Sequence, residues 1–182
     1  GFHPTKDCNH YIQVIGLSDI EKIQQMKDIY HIDLLTVEDI FNVNQRNKIE
    51  VKDDYIFGVF NISYMNKQKE IKEDYLSLLL LKDTVITFHE TEPEYLEPLK
   101  ILLKEYKELK ERKSDFLFFQ IMDIITDEHL DVYDDLESSM ISFEEEILET
   151  KHIEQDEFYL VRKQMLKLKS NVAPILEQLE KT

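Results

Sequence analysis

Glycine is nearly missing from this chain. Only Gly1, Gly16 and Gly58 occur in 182 residues, too few for a phosphate-cradling loop or a dinucleotide fingerprint, and no nucleophile motif is present. An enzyme is therefore the least expected class. Cysteine is represented by Cys8 alone, which excludes an internal disulfide framework and a thiolate zinc cluster and suits a reducing compartment. The histidines, His3, His10, His31, His89, His129 and His152, stand far apart in sequence without an i, i+4 pair, so a histidine-based catalytic metal site has no support. Long apolar runs are missing too. The longest are short stretches such as Leu78 to Leu81, against the roughly 18 residues that a membrane-crossing helix requires. Gly1 to Pro4 has neither the basic nor the apolar region of a signal peptide.

Positive charge is also scarce. Asp and Glu outnumber Lys and Arg by 38 to 22, a net charge of −16, which argues against nucleic acid or an anionic lipid surface as partner and favours cations or basic surfaces. Solubility alone accounts for an acidic surface equally well. Any gathering of cations by the total charge is local, because salt screens it beyond about 8 Å.

What is present is regular patterning. Tyr11 to Ile15 reads as a short buried strand ending at Gly16. Ser18 to Glu21 forms a capping box for a helix to about Tyr30, with Ile20, Ile23, Met26, Ile29 and Tyr30 as its apolar stripe. Thr36 is expected to cap a short second helix whose first turn holds Glu38 and Asp39, where the helix dipole favours negative charge. Asn44 to Asn47 makes a polar corner. Strands follow at Lys48 to Lys52 and, after Asp53 and Asp54, at Tyr55 to Tyr64. Beyond a polar turn at Asn66 to Lys69, strands at Ile71 to Leu81 and Thr84 to His89 complete an expected antiparallel meander.

A second capping box, Thr91 to Glu94 with Pro93, opens a helix expected to reach about Arg112. The strand signal then disappears, which places a boundary near residue 110 between an α/β domain (1–110) and a long-helix arm (111–182). Ser114 or Asp115 caps a helix to about Glu149, with a heptad seam at Tyr133, Leu136, Met140, Phe143 and Ile147. The run Glu144 to Glu146 reads chiefly as a solvated hairpin tip. The last helix repeats the spacing in Phe158, Val161, Met165, Leu168, Val172, Ile175 and Leu179. The two seams are expected to close on each other, with a bend or loosening at Pro174. The fold class is thus α+β: a mixed α/β layer with an antiparallel meander, followed by a long antiparallel helical hairpin.

The stretch LTVEDIFNVNQRNKIEVKDDYIFGVF resembles the signature of the cytoplasmic domain of the CorA family of magnesium transporters, H-P-L-x-x-E-D-(I/V)-x-(N/H)-x-x-Q-R-P-K-x-E. Asp33 stands where the family often has proline, and Asn47 replaces the proline of Q-R-P-K, which implies a less rigid corner. DFLFFQIMDIITDEHLDVYDDL and LVRKQMLKLKSNVAPILEQL are similar to two helical segments of the same family, with Lys169 where its pattern has arginine. The blocks follow the family order over about 170 residues.

The resemblance implies the cytosolic regulatory domain of a Mg2+ or Co2+ channel on the cytoplasmic side of the cell membrane. It implies a homopentamer whose membrane helices and Gly-Met-Asn loop lie outside this chain, with ions bound between neighbouring subunits. Carried over by motif, the implied metal ligands are Glu38, Asp39 and Asp123, with a partner aspartate from a stalk helix beyond residue 182. Magnesium takes oxygen ligands and is commonly held by one or two carboxylates. Asp127 lies one turn from Asp123 on the same helical face and joins the candidates, and Asp134 lies further along. Helix-dipole complementation at Glu38 and Asp39, and a solvated face at Asp123, Asp127 and Asp134, explain the same residues without a metal. A soluble helical interaction or oligomerisation module, or a zinc transporter domain of the same superfamily, remains the alternative.

Overall fold

The computed structural model describes residues 9–105, 113–150 and 155–179. Period-2 alternation is the organising feature. In β3 (Ile56–Met65) Phe57 and Val59 enter one core, while Phe60 and Ile62 enter another on the opposite face. β4 (Ile71–Leu80) divides in the same way, Tyr75 and Leu79 against Leu76 and Leu78. These strands are therefore buried on both sides, in a five-stranded sheet of order β1-β5-β4-β3-β2.

The meander is observed. β3, β4 and β5 (Thr84–His89) pair antiparallel, with Phe57 opposite Leu79 and Leu78 opposite Thr87, and β2 (Lys48–Val51) extends it with Glu50 opposite Phe57. β1 (His10–Ile15) closes the other edge, parallel to β5, with Ile12 opposite Ile86. Gly58 is required by its own strand, because a Cβ there would lie 2.6 Å from the Phe60 ring.

One face is covered by α1 (Ile20–Tyr30) and α2 (Leu34–Phe41), through Ile23, Val37 and Ile40. The cap of α1 is Asp19, whose side chain accepts the Lys22 N–H, and the helix ends at His31 in the left-handed region (φ 52). Ile20 and Ile29 of the expected stripe are exposed. α2 departs from expectation more sharply. Its cap is Asp33, whose Oδ1 accepts the Thr36 N–H at 2.7 Å. Thr36 is buried inside the helix, its hydroxyl 2.9 Å from that of Tyr55. A local pattern of Thr followed by acids suggested a cap at Thr36, but the preceding Asp33 is fixed from outside by Tyr55, whose hydroxyl donates to Asp33 Oδ2 at 2.7 Å.

The opposite face is covered by a 3-10 turn (Glu94–Leu96), α3 (Glu97–Glu105) and the first half of α4 (Ser114–Thr150), through Leu96, Leu99, Leu117, Ile121 and Ile125. The 3-10 turn at Glu94 stands where the capping box predicted an α-helix from the start, since Pro93 offers no side-chain cap. The expected end of that helix and the boundary near residue 110 fall in 106–112, outside the described residues. Ser114 is the first residue of α4. Its hydroxyl donates to the carbonyls of Leu81 and Lys82 at 2.8 and 2.9 Å, tying the helix start to the sheet.

The second half of α4 pairs antiparallel with α5 (Gln155–Leu179). Phe143 meets Phe158 edge-on near the loop, while Ile175 joins Ile125 in the core beneath the sheet. Between them Val132, Leu136 and Leu168 form a small core of their own. The seam is shifted from the heptad reading: Tyr133 is 44% and Ile147 38% exposed, and Val132 is buried instead. The packing surface of α4 turns from the sheet to α5 along its length, which a fixed seven-residue repeat does not capture.

Candidate metal centre

Asp39 stands at the C-terminal end of α2, and Glu38 beside it. Neither is in the first turn, which contains no acid, so helix-dipole complementation does not explain them; a carboxylate at this end faces the negative pole. Asp39 is compensated by a neighbour that sequence reading did not single out. Lys48 on β2 places Nζ 2.6 Å from Asp39 Oδ2 and 2.9 Å from Glu50 Oε1. Burial alone would lower the Lys48 pKa, but these bonds outweigh it and hold the ammonium above its ordinary range. Glu38 is exposed and has no ion pair among the described residues.

The backbone beneath this pair is fixed. The Asp39 carbonyl accepts from the Gln45 amide at 2.6 Å and from the buried Tyr75 hydroxyl at 3.0 Å. The corner that follows is not loose, despite lacking the proline of the resembled family. Asn47 is buried, and its Oδ1 accepts both the backbone N–H and the side-chain amide of Asn61 at 2.7 Å.

Asp123 and Asp127 project from the exposed side of α4, with Ile121 and Ile125 buried on the other, and Asp134 is exposed as well. That helical face is as the spacing predicts. Glu128, between the stripes, was missed. It is half-buried, and burial pushes its carboxyl up against a lowering hydrogen bond to the Met65 backbone, while Asp131 and Asp127 repel the charged form. A helical wheel through Ile121, Ile125 and Val132 places position 128 at the edge of the buried stripe, so the signal was available.

The structure keeps the two acidic pairs apart. Glu38 and Asp39 belong to the layer on one face of the sheet, Asp123 and Asp127 to the layer on the other. Among the described residues no group of three or more His, Cys, Asp or Glu side chains is placed to hold a metal ion. Each pair nevertheless offers what a hard, hydrated cation takes, one or two exposed carboxylates on a rigid helix. His89 and His129 are buried and contribute to neither pair.

No helix among the described residues is long and apolar enough to cross a membrane. Comparison with known proteins gives one consistent result. The family model for CorA-like Mg2+ transporter proteins matches residues 14–182. The chain is 24% identical over 172 residues to the cobalt/magnesium transport protein CorA of Thermotoga maritima, covering 93% of this chain and 49% of the relative. It thus spans about half the length of that curated relative. Among solved structures it is similar to the CorA magnesium transporter of Methanocaldococcus jannaschii (TM-score 0.70, 17% identity, 94% of this chain and 55% of that one). It is also similar to the ZntB cytoplasmic domain of Vibrio parahaemolyticus (TM-score 0.71, 16% identity, 94% of this chain and 69% of that one).

Proposed function

Because the chain belongs to the CorA-like Mg2+ transporter family, we propose that it is the cytosolic, cation-sensing part of a divalent-cation channel. The family is one of transporters and not of enzymes. In this reading the chain is one subunit of a homopentamer at the cytoplasmic side of the cell membrane, and Mg2+ or Co2+ is both cargo and regulatory ligand. Glu38, Asp39, Asp123 and Asp127 are the proposed ligands.

The supporting observation is the placement of two acidic pairs on opposite faces of one sheet, Glu38, Asp123 and Asp127 exposed and Asp39 part-buried beside Lys48. A ring of identical subunits is held by heterologous contacts, in which one surface of a protomer meets a different surface of the next. Pairs that cannot meet within a chain are then able to meet between chains. A divalent ion there offsets the repulsion of facing carboxylates and holds the assembly closed. Its loss lets the subunits repel one another and splay, opening the pore.

The test is a Mg2+ titration of a chain extended through the following stalk helix, followed by thermal unfolding and sedimentation. At 100 times Kd a ligand specific for the folded assembly adds about 2.7 kcal/mol of stability, and self-association should rise with it. A response in neither quantity would falsify the sensor reading. It would favour a helical interaction module instead, for which Leu148 and Tyr159, 83% and 69% exposed on the hairpin, are the supporting features.

A further inference from the structure

We propose that Asn47 and Asn171 form a latch through which α2, with its candidate cation ligands, and α5 move as one body. The proposal rests on the sensor reading above and names how the ion response leaves the acidic helix. Asn47 and Asn171 are positioning residues in this scheme and touch no ion.

An unbroken chain of polar contacts joins the two helices. From the Asp39 carbonyl it runs to the Gln45 amide; the Gln45 carbonyl accepts from the Asn61 side chain at 2.9 Å, and Asn61 donates to Asn47 Oδ1. Asn47 Nδ2 then donates to the backbone carbonyl of Asn171 at 2.6 Å, across 124 residues of sequence. The Asn171 side chain bonds elsewhere, its Nδ2 donating to Ser63 Oγ on β3 at 3.2 Å. Asn47, Asn171 and Ser63 are all buried, at 4%, 3% and 1% exposure. Leaving a buried amide without its partner is costly, so these contacts favour one another's retention.

The place of the latch on α5 is informative. Pro174 lacks the N–H that would bond the Ser170 carbonyl, so this turn is the least self-supported in the helix. A hollow of about 290 Å3, lined by Asn47, Asn61 and Asn171 together with Arg46, Lys167 and Ser170, opens beside the latch. Among the described residues of α5, Asn171 is the one buried polar side chain. A donor aimed at one carbonyl adds a directional restraint on the register of α5 to its apolar contacts. A proline at position 47, as in the resembled family pattern, would have no side-chain donor, so the latch belongs to this chain and not to the family signature.

Amide hydrogen exchange on the full-length protein, with and without saturating Mg2+, tests the latch. In the wild type, Mg2+ should slow exchange in residues 34–45 and in residues 165–176, each by about fivefold or more. In Asn47→Ala and in Asn47→Pro, both of which remove the donor to the Asn171 carbonyl, residues 34–45 should still respond while 165–176 no longer do. Asn47→Pro keeps a stiff corner and leaves α5 unchanged in sequence, so it decides the matter should Asn47→Ala loosen the corner by freeing Asn61. If residues 165–176 respond in both variants as in the wild type, the latch is overturned and the sensor reading stands. If residues 34–45 of the wild type do not respond at all, the sensor reading fails and the latch loses its role with it.

Discussion

Lys48 Nζ lies 2.6 Å from Asp39 Oδ2, the side chain of one strand neutralising the carboxylate of a helix that ends just before it. The same ammonium reaches Glu50, and Lys52 continues the line with Nζ 3.1 Å from Glu50. A proposed metal ligand is thereby held in a competing ion pair, and any cation at Asp39 must displace or share it.

Replacing that cation should change the ion response in a defined direction. In Lys48→Gln, Asp39 is freed, so the extended chain should respond to lower Mg2+ in a thermal-shift titration than the wild type does. The loss in stability without Mg2+ should be small, about 1 kcal/mol or less, because both side chains are about a quarter exposed and solvent screens the pair. An unchanged Mg2+ midpoint would mean that Asp39 is not a ligand.

The candidate carboxylates should behave in opposite ways with and without the ion. Glu38→Gln and Asp123→Asn are exposed changes, expected to shift the unfolding free energy of the chain alone by within about 0.5 kcal/mol. In the assembled protein each should weaken Mg2+-dependent association, measured by sedimentation, while easing repulsion in Mg2+-free buffer.

His89 gives the fold a specific pH dependence. Its ring is fully buried, neither nitrogen has a hydrogen-bond partner among the described residues, and burial depresses its pKa from 6.5 to about 4. Between those values the unfolded chain binds a proton that the folded chain does not, so stability is fully present above pH 6.5 and falls as pH drops towards 4. The loss should be on the order of 3 kcal/mol. His89→Leu should abolish it. The difference between urea midpoints of the two proteins at pH 7 and pH 4.5 isolates this group from Asp74 and Glu128, whose carboxyls are raised by burial and act in the opposite sense.

Capping of α2 separates Asp33 from Thr36. Asp33→Ala removes the acceptor for the Thr36 N–H and for the Tyr55 hydroxyl, and should cost about 1–2 kcal/mol in chemical denaturation. Burial pushes the Asp33 carboxyl up, but its hydrogen bonds from Thr36 and Tyr55 outweigh this and hold it below its ordinary range. The cap's contribution is therefore present above the ordinary carboxylate pKa and lost as pH falls through the lowered one. A cost for Asp33→Ala indistinguishable from zero would contradict the observed cap.

The hairpin seam is testable by truncation. Leu136→Ala and Leu168→Ala each empty a buried site in the small core between α4 and α5 and should cost about 2–5 kcal/mol. Ile147→Ala, at 38% exposure, should cost far less. Equal costs at positions 136 and 147 would restore the strict heptad reading.

The sequence by itself determined the order of elements, the meander, the long helical pair and the acidic balance. Each of these is written in neighbouring residues: alternation from Phe57 to Ile62, or apolar spacing through Ile121 and Ile125, repeats with the period of the strand or helix that buries it. Family resemblance added Glu38, Asp39 and Asp123 as residues to inspect. Only the tertiary structure decided which carboxylates are compensated, where α2 begins and which amides are buried. Lys48 reaches Asp39 because β2 returns beside α2, Tyr55 selects Asp33 over Thr36 as the cap, and Asn47 meets Asn171 across 124 residues. Hydrogen bonds and ion pairs depend on distances of a few tenths of an ångström, set once the apolar layers have closed on the sheet, and no local period encodes them.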